Sequence, residues 1–433
     1  SRQPVAALCG RRSEMRGLDA NAQTSGKVTA SNITAFVDTF CGNTGSFSQL
    51  TALLGDAWGS GAAAFPSALI QDAPLQDVNI VSAPALLHER GMPMWWAPML
   101  KFGFTLSYVL LAPFVGPLAD AFRKARLMAW MNGVKVLGVL ALLAGVHPVV
   151  AFAVVGFGAA AYAPAKYGLI TEMVEPQRLV AANGWLEVSI VCAALFGTVL
   201  GGVLVSPGLL GSTLAVHWRE RLDALALADA GALSLSLIAL LLVYGVAAAL
   251  NTGVRDSGAR YPACSVNPLA LAREFRCANR TLWSDREGGL SLAVTTLFWG
   301  LGATLQFAVL RWAAHALQLP LDRAAYLQAA VAVGVMIGAT AAGRWVPLAR
   351  AKSMLFAGVL LGLLLPVIAS TTQLVVALPL LVLVGAVGGL LVVPLNALLQ
   401  HRGFSRLSAG RSIAVQGFNE NASILLMLAG YAL

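Results

Sequence analysis

Ten stretches of about twenty residues, nearly free of charge, fill this chain from residue 95 onward, and few folds can hold them. At 1.5 Å per residue, an apolar helix of that length crosses roughly 30 Å of hydrocarbon. Inside lipid every backbone N–H and C=O must find a partner within the protein, which a helix does by itself. Transmembrane strands would be shorter and would alternate in polarity, and no such alternation is seen. The spacing predicts spans over 95–115, 127–146, 149–168, 182–205 and 228–250, then a polar loop at 251–288. A second set follows over 289–313, 324–343, 353–370, 374–398 and 412–433. Only 11% of the residues are charged, against roughly 25% in a soluble domain. The expected class is all-α and polytopic, with an N-terminal bundle at 92–250, a central loop at 251–288 and a C-terminal bundle at 289–433.

The formal net charge of +9 raises nucleic-acid binding, but the placement of the charge excludes it. Arg123, Lys124 and Arg126 lie between the first two spans, Lys166 and Arg178 flank the next loop on that side, and six arginines fill 251–288. Arg344, Arg350 and Lys352 follow, then Arg402, Arg406 and Arg411, while the alternate loops carry little or mixed charge. That asymmetry puts the basic loops in the cytoplasm. Residues 1–91 do not fit the pattern, because Asp38, Asp56, Asp72 and Asp77 interrupt every apolar candidate, and the segment is expected to be disordered or aberrant. The first span then enters from outside. One further span at each end would complete a six-plus-six bundle, so the first and last helices are expected to be lacking.

The two halves repeat. Residues 162–187 (YAPAKYGLITEMVEPQRLVAANGWLE) and 393–420 (VPLNALLQHRGFSRLSAGRSIAVQGFNE) each run from a Pro through a charged loop to Gly-aromatic-x-Glu. Glu187 and Glu420 each stand nine positions beyond the last Arg of their loop, and Lys135 stands nine beyond Arg126. That places all three about 13 Å into the bilayer. An unpaired charge there costs at least ~2.5–3.5 kcal/mol, so the three are expected to face a wet cavity or one another. A structural ion pair or a polar packing seam is the simpler alternative. The matched halves place the working site between two bundles. Gln416, Asn419, Glu420 and Ser423 share one helical stripe that is expected to line that cavity, with interhelical hydrogen bonding as the alternative. Asn183 and Asn396 read as helix-end hydrogen bonders, with substrate contact the second reading for both. Gly197 with Gly201, and Gly334 with Gly338, are small-xxx-small pairs that pack helices closely.

Residues 116–126 (GPLADAFRKAR) resemble the cytoplasmic signature between the second and third helices of the major facilitator superfamily. Together with 158–187, the Phe298-Trp299-Gly300 run and 392–400 (VVPLNALLQ), the chain from about residue 92 is similar to the bacterial lysophospholipid transporter family. The resemblance implies a two-bundle fold and a multi-pass flippase of the bacterial inner membrane. It also implies inward movement of lysophosphatidylethanolamine and related lysolipids, re-acylation by a partner acyltransferase, and coupling to sodium. An Asp-Asn pair on the family's first helix has no equivalent in residues 1–85, and Gln306 stands where some members carry Arg, with Arg311 nearby.

A zwitterionic lipid needs both signs in one cavity. Lys135 is expected to receive the phosphate, and a Glu the ammonium group or the coupling cation. Snorkelling explains Lys166 on its own, and the resemblance makes it a phosphate contact. The candidate substrate residues are thus Lys135, Lys166, Glu187, Gln306, Arg311, Asn396, Gln416, Asn419 and Glu420. Gly116, Asp120, Arg123, Lys124 and Arg126 are the candidate gate, and the resemblance implies that Asp120 meets the start of the last span near Ser412 when the cytoplasmic side closes. The alternatives are a carrier of another amphiphile or drug, and a truncated remnant that transports nothing. A membrane acyltransferase is disfavoured because none of the five His residues has an Asp five positions on, and there is no nucleotide-binding lysine loop.

Overall fold

The computed structural model describes residues 96–432, except 205–208, 210, 214–215, 218–219, 222–233, 262–266 and 319–320. Helix α1 (Trp96–Ala121) and α2 (Lys124–Leu143) meet at a tight basic turn in which Arg123 is extended. Helix α3 (Pro148–Met173) opens on a proline, with the His147 side chain accepting from the Val149 N–H. A proline at that position loses nothing, since its missing N–H would be unpaired there anyway. A short 3₁₀ turn (Pro176–Arg178) leads into α4 (Leu179–Leu204), and α5 (Ser234–Thr252) completes the first half. The linker then forms α6 (Pro268–Ser284). The second half contains α7 (Arg286–Ala316), α8 (Leu321–Trp345), a 3₁₀ segment (Leu348–Met354), α9 (Leu355–Ala369), α10 (Leu374–Arg406) and α11 (Ala409–Ala432).

Over its described residues each span expected from the sequence is helical, and among the described residues eight segments are long and apolar enough to cross a membrane. Helix α5 offers a shorter apolar stretch, Ser236–Thr252. Helix α11 is not among the eight, because Arg411, Gln416, Asn419 and Glu420 make it polar. The central loop differs from expectation: 17 of its residues form α6, capped by the Asn267 side chain on the Leu269 N–H. The reading of 1–91 as disordered lies outside the described residues.

In the first half α2 packs between α3 and α5 through Val139, Leu142, Phe152, Leu240 and Tyr244. In the second half α8 lies along α10 so closely that a Cβ on Gly334, Gly338, Gly385 or Gly389 would collide with the opposing backbone. Between helices that lipid would solvate equally well, such close van der Waals contact supplies much of the association. The pair Gly334 and Gly338 therefore packs as its spacing predicts, whereas the surroundings of Gly201 lie outside the described side chains. The halves meet in an apolar seam of Leu179 and Val180 against Ala339, Ala342, Val392, Val393 and Ala397. All the basic turns gather at that end of the molecule.

Candidate functional site

The seam is locked by polar contacts that join the halves. Asp120, at the end of α1, accepts the Gly410 N–H at 2.9 Å, and the Ser408 hydroxyl donates to its other oxygen. Gly410 is the second residue of α11, so the carboxylate sits on the positive end of that helix. The approach needs glycine on both sides: a Cβ on Gly410 would lie 2.6 Å from the Gly116 carbonyl, and one on Gly116 2.9 Å from the Arg411 Cα. The contact falls two to four residues before Ser412, whose own hydroxyl is buried against Gly403. A second crossing pairs the amides of Asn183 and Gln400, which donate to one another at 2.8 and 2.9 Å, both side chains buried. These contacts lie at the ends of α1, α4, α10 and α11 that adjoin the basic turns, so the two halves are joined at that end.

Lys124 lies beside the seam, within electrostatic range of Asp120, with its main partner on its own half. It pairs with Glu172 at 2.6 Å, both side chains almost fully buried. Glu172 also accepts from Tyr261 at 2.6 Å and Ser257 at 2.5 Å, which clamps the start of the linker onto α2 and α3. Burial and the Glu172 charge both push the Tyr261 phenol upward, so it stays a donor. Arg123 reaches Asp256 at 3.2 Å. Burial opposes the Asp256 charge, but the Arg260 hydrogen bond and the Arg260 and Arg123 charges outweigh it and hold the carboxyl below its usual range. Arg126 is exposed and makes no ion pair among the described residues. The second half carries its own clamp: Asp285 caps α7 and accepts from Arg402 and Arg406, each at 2.8 Å. Burial raises the Asp285 pKa, but the Arg402 and Gly288 hydrogen bonds and the two arginine charges bring it down to about 2.

Deeper in the membrane, polar side chains run from one half to the other. Lys135 is buried in the first half, its ammonium 4.5 Å from the Tyr162 ring and 5.7 Å from the Tyr244 ring. Lys166 lies on the other side of that arrangement, 6.0 Å from Tyr162 and 4.6 Å from Tyr167. Aromatic faces favour such cations, more so where water is scarce. Lys166 is in electrostatic range of Glu187, and Glu187 of Glu420 across the seam. Both carboxylates are partly buried. Gln416 donates to Glu420 at 2.9 Å and to Asn396 at 3.1 Å, which ties α10 to α11.

The structure thus brings together Lys166, Glu187, Glu420, Gln416 and Asn396, with Lys135 joined through Tyr162. Other candidates lie elsewhere. Asn419 turns away from this group, donating to Asn279 of α6 at 2.9 Å and accepting from Trp283 at 3.1 Å. Gln306 and Arg311 are exposed near the far end of α7, where Gln306 donates to Gln328 at 3.1 Å. Eleven residues of α7 separate Gln306 from Thr295, the neighbour of Glu420, or about 16 Å of helix.

A sequence profile of the Major Facilitator Superfamily matches residues 78–427. The lysophospholipid transporter LplT of Shigella flexneri is 39% identical over 378 residues, 87% of this chain and 89% of that one. The LplT of Pectobacterium carotovorum is 40% identical over 351 residues, 81% and 80% of the two chains. The chain belongs to the major facilitator superfamily, in its lysophospholipid transporter family. Among solved structures the transporter FucP in its outward conformation aligns with a TM-score of 0.66 at 13% identity, covering 86% of this chain and 92% of its own. The human organic anion transporter MFSD10 aligns at 0.61 and 15%, over 86% and 94% of the two chains. At such identities these show the fold alone.

For a member of this superfamily the two-bundle architecture and multiple membrane spans follow directly. The profile begins at residue 78, so the likeness reaches into the segment that the motifs left apart. Sequence reasoning missed Glu172, Asp256, Tyr261, Asp285 and Gln400, and the aromatic bridge of Tyr162 and Tyr244. One signal was available: Gln400 sits in the same copied stretch as Asn183 does in the first half.

Proposed function

We propose that this chain is a secondary transporter that flips lysophospholipids of the lysophosphatidylethanolamine kind inward across the bacterial inner membrane. The names of its relatives, at 38–40% identity over most of the chain, support the lysolipid as substrate. The observation that carries the reading is the mixed-sign path from Lys135 and Lys166 to Glu187 and Glu420, since the lipid's phosphate needs a cation and its ammonium an anion. Lys166, with Lys135 behind Tyr162, receives the phosphate, and the carboxylate pair takes the ammonium. The two carboxylates come from different halves, so any rocking of the halves changes their separation and their hold on a cation. Coupling to sodium fits that arrangement, because carboxylate and amide oxygens are the ligands a hard cation prefers. Delivery to a partner acyltransferase for re-acylation completes the proposal.

The test is uptake of labelled lysophosphatidylethanolamine into spheroplasts, with and without sodium, for the parent chain and for Glu187→Gln, Glu420→Gln and Lys166→Met. Uptake that needs sodium in the parent and is lost in all three variants, at equal membrane levels, is the expected result. Uptake unaffected by the three substitutions overturns the reading.

A further inference from the structure

Helix α6 has two faces of different character. Leu271, Phe275, Ala278 and Leu282 recur at helical spacing, and the last two lie in one cluster with Leu292 of α7, Leu399 of α10 and Val415 of α11. Phe275 meets the Phe418 ring edge-on at 5.2 Å, and Glu274 pairs with Arg411 at 2.9 Å. Val415 is six residues past the start of α11, about 9 Å along it. The helix therefore lies against the flank of the bundle, beside the ends of the apolar spans α7 and α10 and the first turns of α11. It also packs on α1 of the first half.

The opposite face carries Arg273, Arg276 and Arg280, three or four residues apart and so on one stripe. All three are exposed, and none makes an ion pair or hydrogen bond among the described residues. Leu269, 70% exposed, and Trp283, 41% exposed, close the stripe at its two ends. A basic stripe bounded by exposed Leu269 and by half-exposed Trp283, whose indole N–H is held by Asn419, has the makeup of a helix that rests in the membrane interface. Long arginine side chains can lay their stems along apolar surface while their heads reach phosphate. An acidic soluble protein would have to enter the headgroup layer to reach the same face.

We propose that α6 is a docking strip for anionic phospholipid headgroups of the cytoplasmic leaflet, with Arg273, Arg276 and Arg280 as the phosphate-binding residues. Each basic residue near an anionic surface adds about fivefold to such binding. The full chain in detergent is exposed to an equimolar mixture of dioleoylphosphatidylglycerol and dioleoylphosphatidylcholine, and bound lipid is counted by native mass spectrometry. The parent should hold several times more phosphatidylglycerol than phosphatidylcholine. The R273Q/R276Q/R280Q variant should lose at least tenfold of the former and none of the latter. The R273K/R276K/R280K variant, which keeps the charge, should retain most of the binding, and so should R344Q/R350Q, which removes exposed charge elsewhere. Undiminished phosphatidylglycerol in the glutamine variant, or equal loss in the lysine variant, overturns the proposal. Displacement of the lipid by millimolar inorganic phosphate overturns it too, by marking a general anion site. So does a failure of the lipid, with capture of an acidic polypeptide instead.

Discussion

Replacing Asn183 with alanine tests the cytoplasmic seam at its most symmetrical contact. The Asn183 and Gln400 amides exchange two hydrogen bonds, at 2.8 and 2.9 Å, and both are buried. Alanine removes one amide and leaves the other buried without a partner, which costs about 1–3 kcal/mol. The cost falls only on the closed form, because opening the seam returns Gln400 to water. Asn183→Ala should therefore shift the closed-to-open ratio toward cytoplasmic opening by roughly 5–150-fold. Spin labels on R126C and S405C, at exposed positions on either side of the seam, report the shift by pulsed dipolar spectroscopy in a background cleared of native cysteines. A longer-distance population should grow in the variant. Adding Gln400→Leu removes the orphaned amide as well and should return much of that population. An unchanged distance distribution, or a double variant as open as the single one, refutes the reasoning.

Asp120→Asn keeps the shape of the contact with the start of α11 but loses the charge, worth ~1–2 kcal/mol there. It should lower lysolipid uptake about tenfold while membrane levels stay constant, and equal uptake would count against the gate. Glu172→Gln leaves the buried Lys124 ammonium without its counter-charge, at a cost of about 3–5 kcal/mol. The linker should loosen, so trypsin should cut after Arg255 and Arg260 much faster than in the parent, and an unchanged digest contradicts the clamp. Asp285 has a folded pKa of about 2, below the unfolded value, so its contribution is full at neutral pH and fades as pH falls from about 4 toward 2. Thermal unfolding should show Asp285→Asn destabilised by ~2 kcal/mol at pH 7 and by clearly less at pH 3, while an equal gap at both pH values rules out the ionic origin.

Much of this architecture is legible in the sequence because hydrocarbon imposes a length and a polarity on every span. The ten helical spans could be anticipated on that ground, and the family resemblance implied the meeting of Asp120 with the start of α11. Helix α6 could not be seen by length, since amphipathic helices give no long apolar run. Its signals were the Asn267-Pro268 start and the apolar spacing of Leu271, Phe275, Ala278 and Leu282. Depth along a helix was readable, but rotation around it was not. Glu187 and Glu420 are at matched depth and approach each other. Lys135, at the same depth, instead packs on Tyr162 and Tyr244 inside the first half. Asn419 shares a stripe with Gln416 and Glu420, yet a partner from the linker claims it, and no pattern within α11 encodes that partner. The Lys124–Glu172 pair was hidden for a similar reason, because Tyr261 and Ser257 reach it from about ninety residues away.

The most direct measurement is photo-cross-linking of a lysophosphatidylethanolamine bearing a photoreactive group near its amine, followed by peptide mapping of the labelled chain. The account predicts label on the α3–α4 segment around Lys166 and Glu187 and also on α11 around Glu420, with both lost in the Glu187→Gln, Glu420→Gln double variant. Label confined to one half, or spread over lipid-facing residues and indifferent to the double substitution, would contradict it.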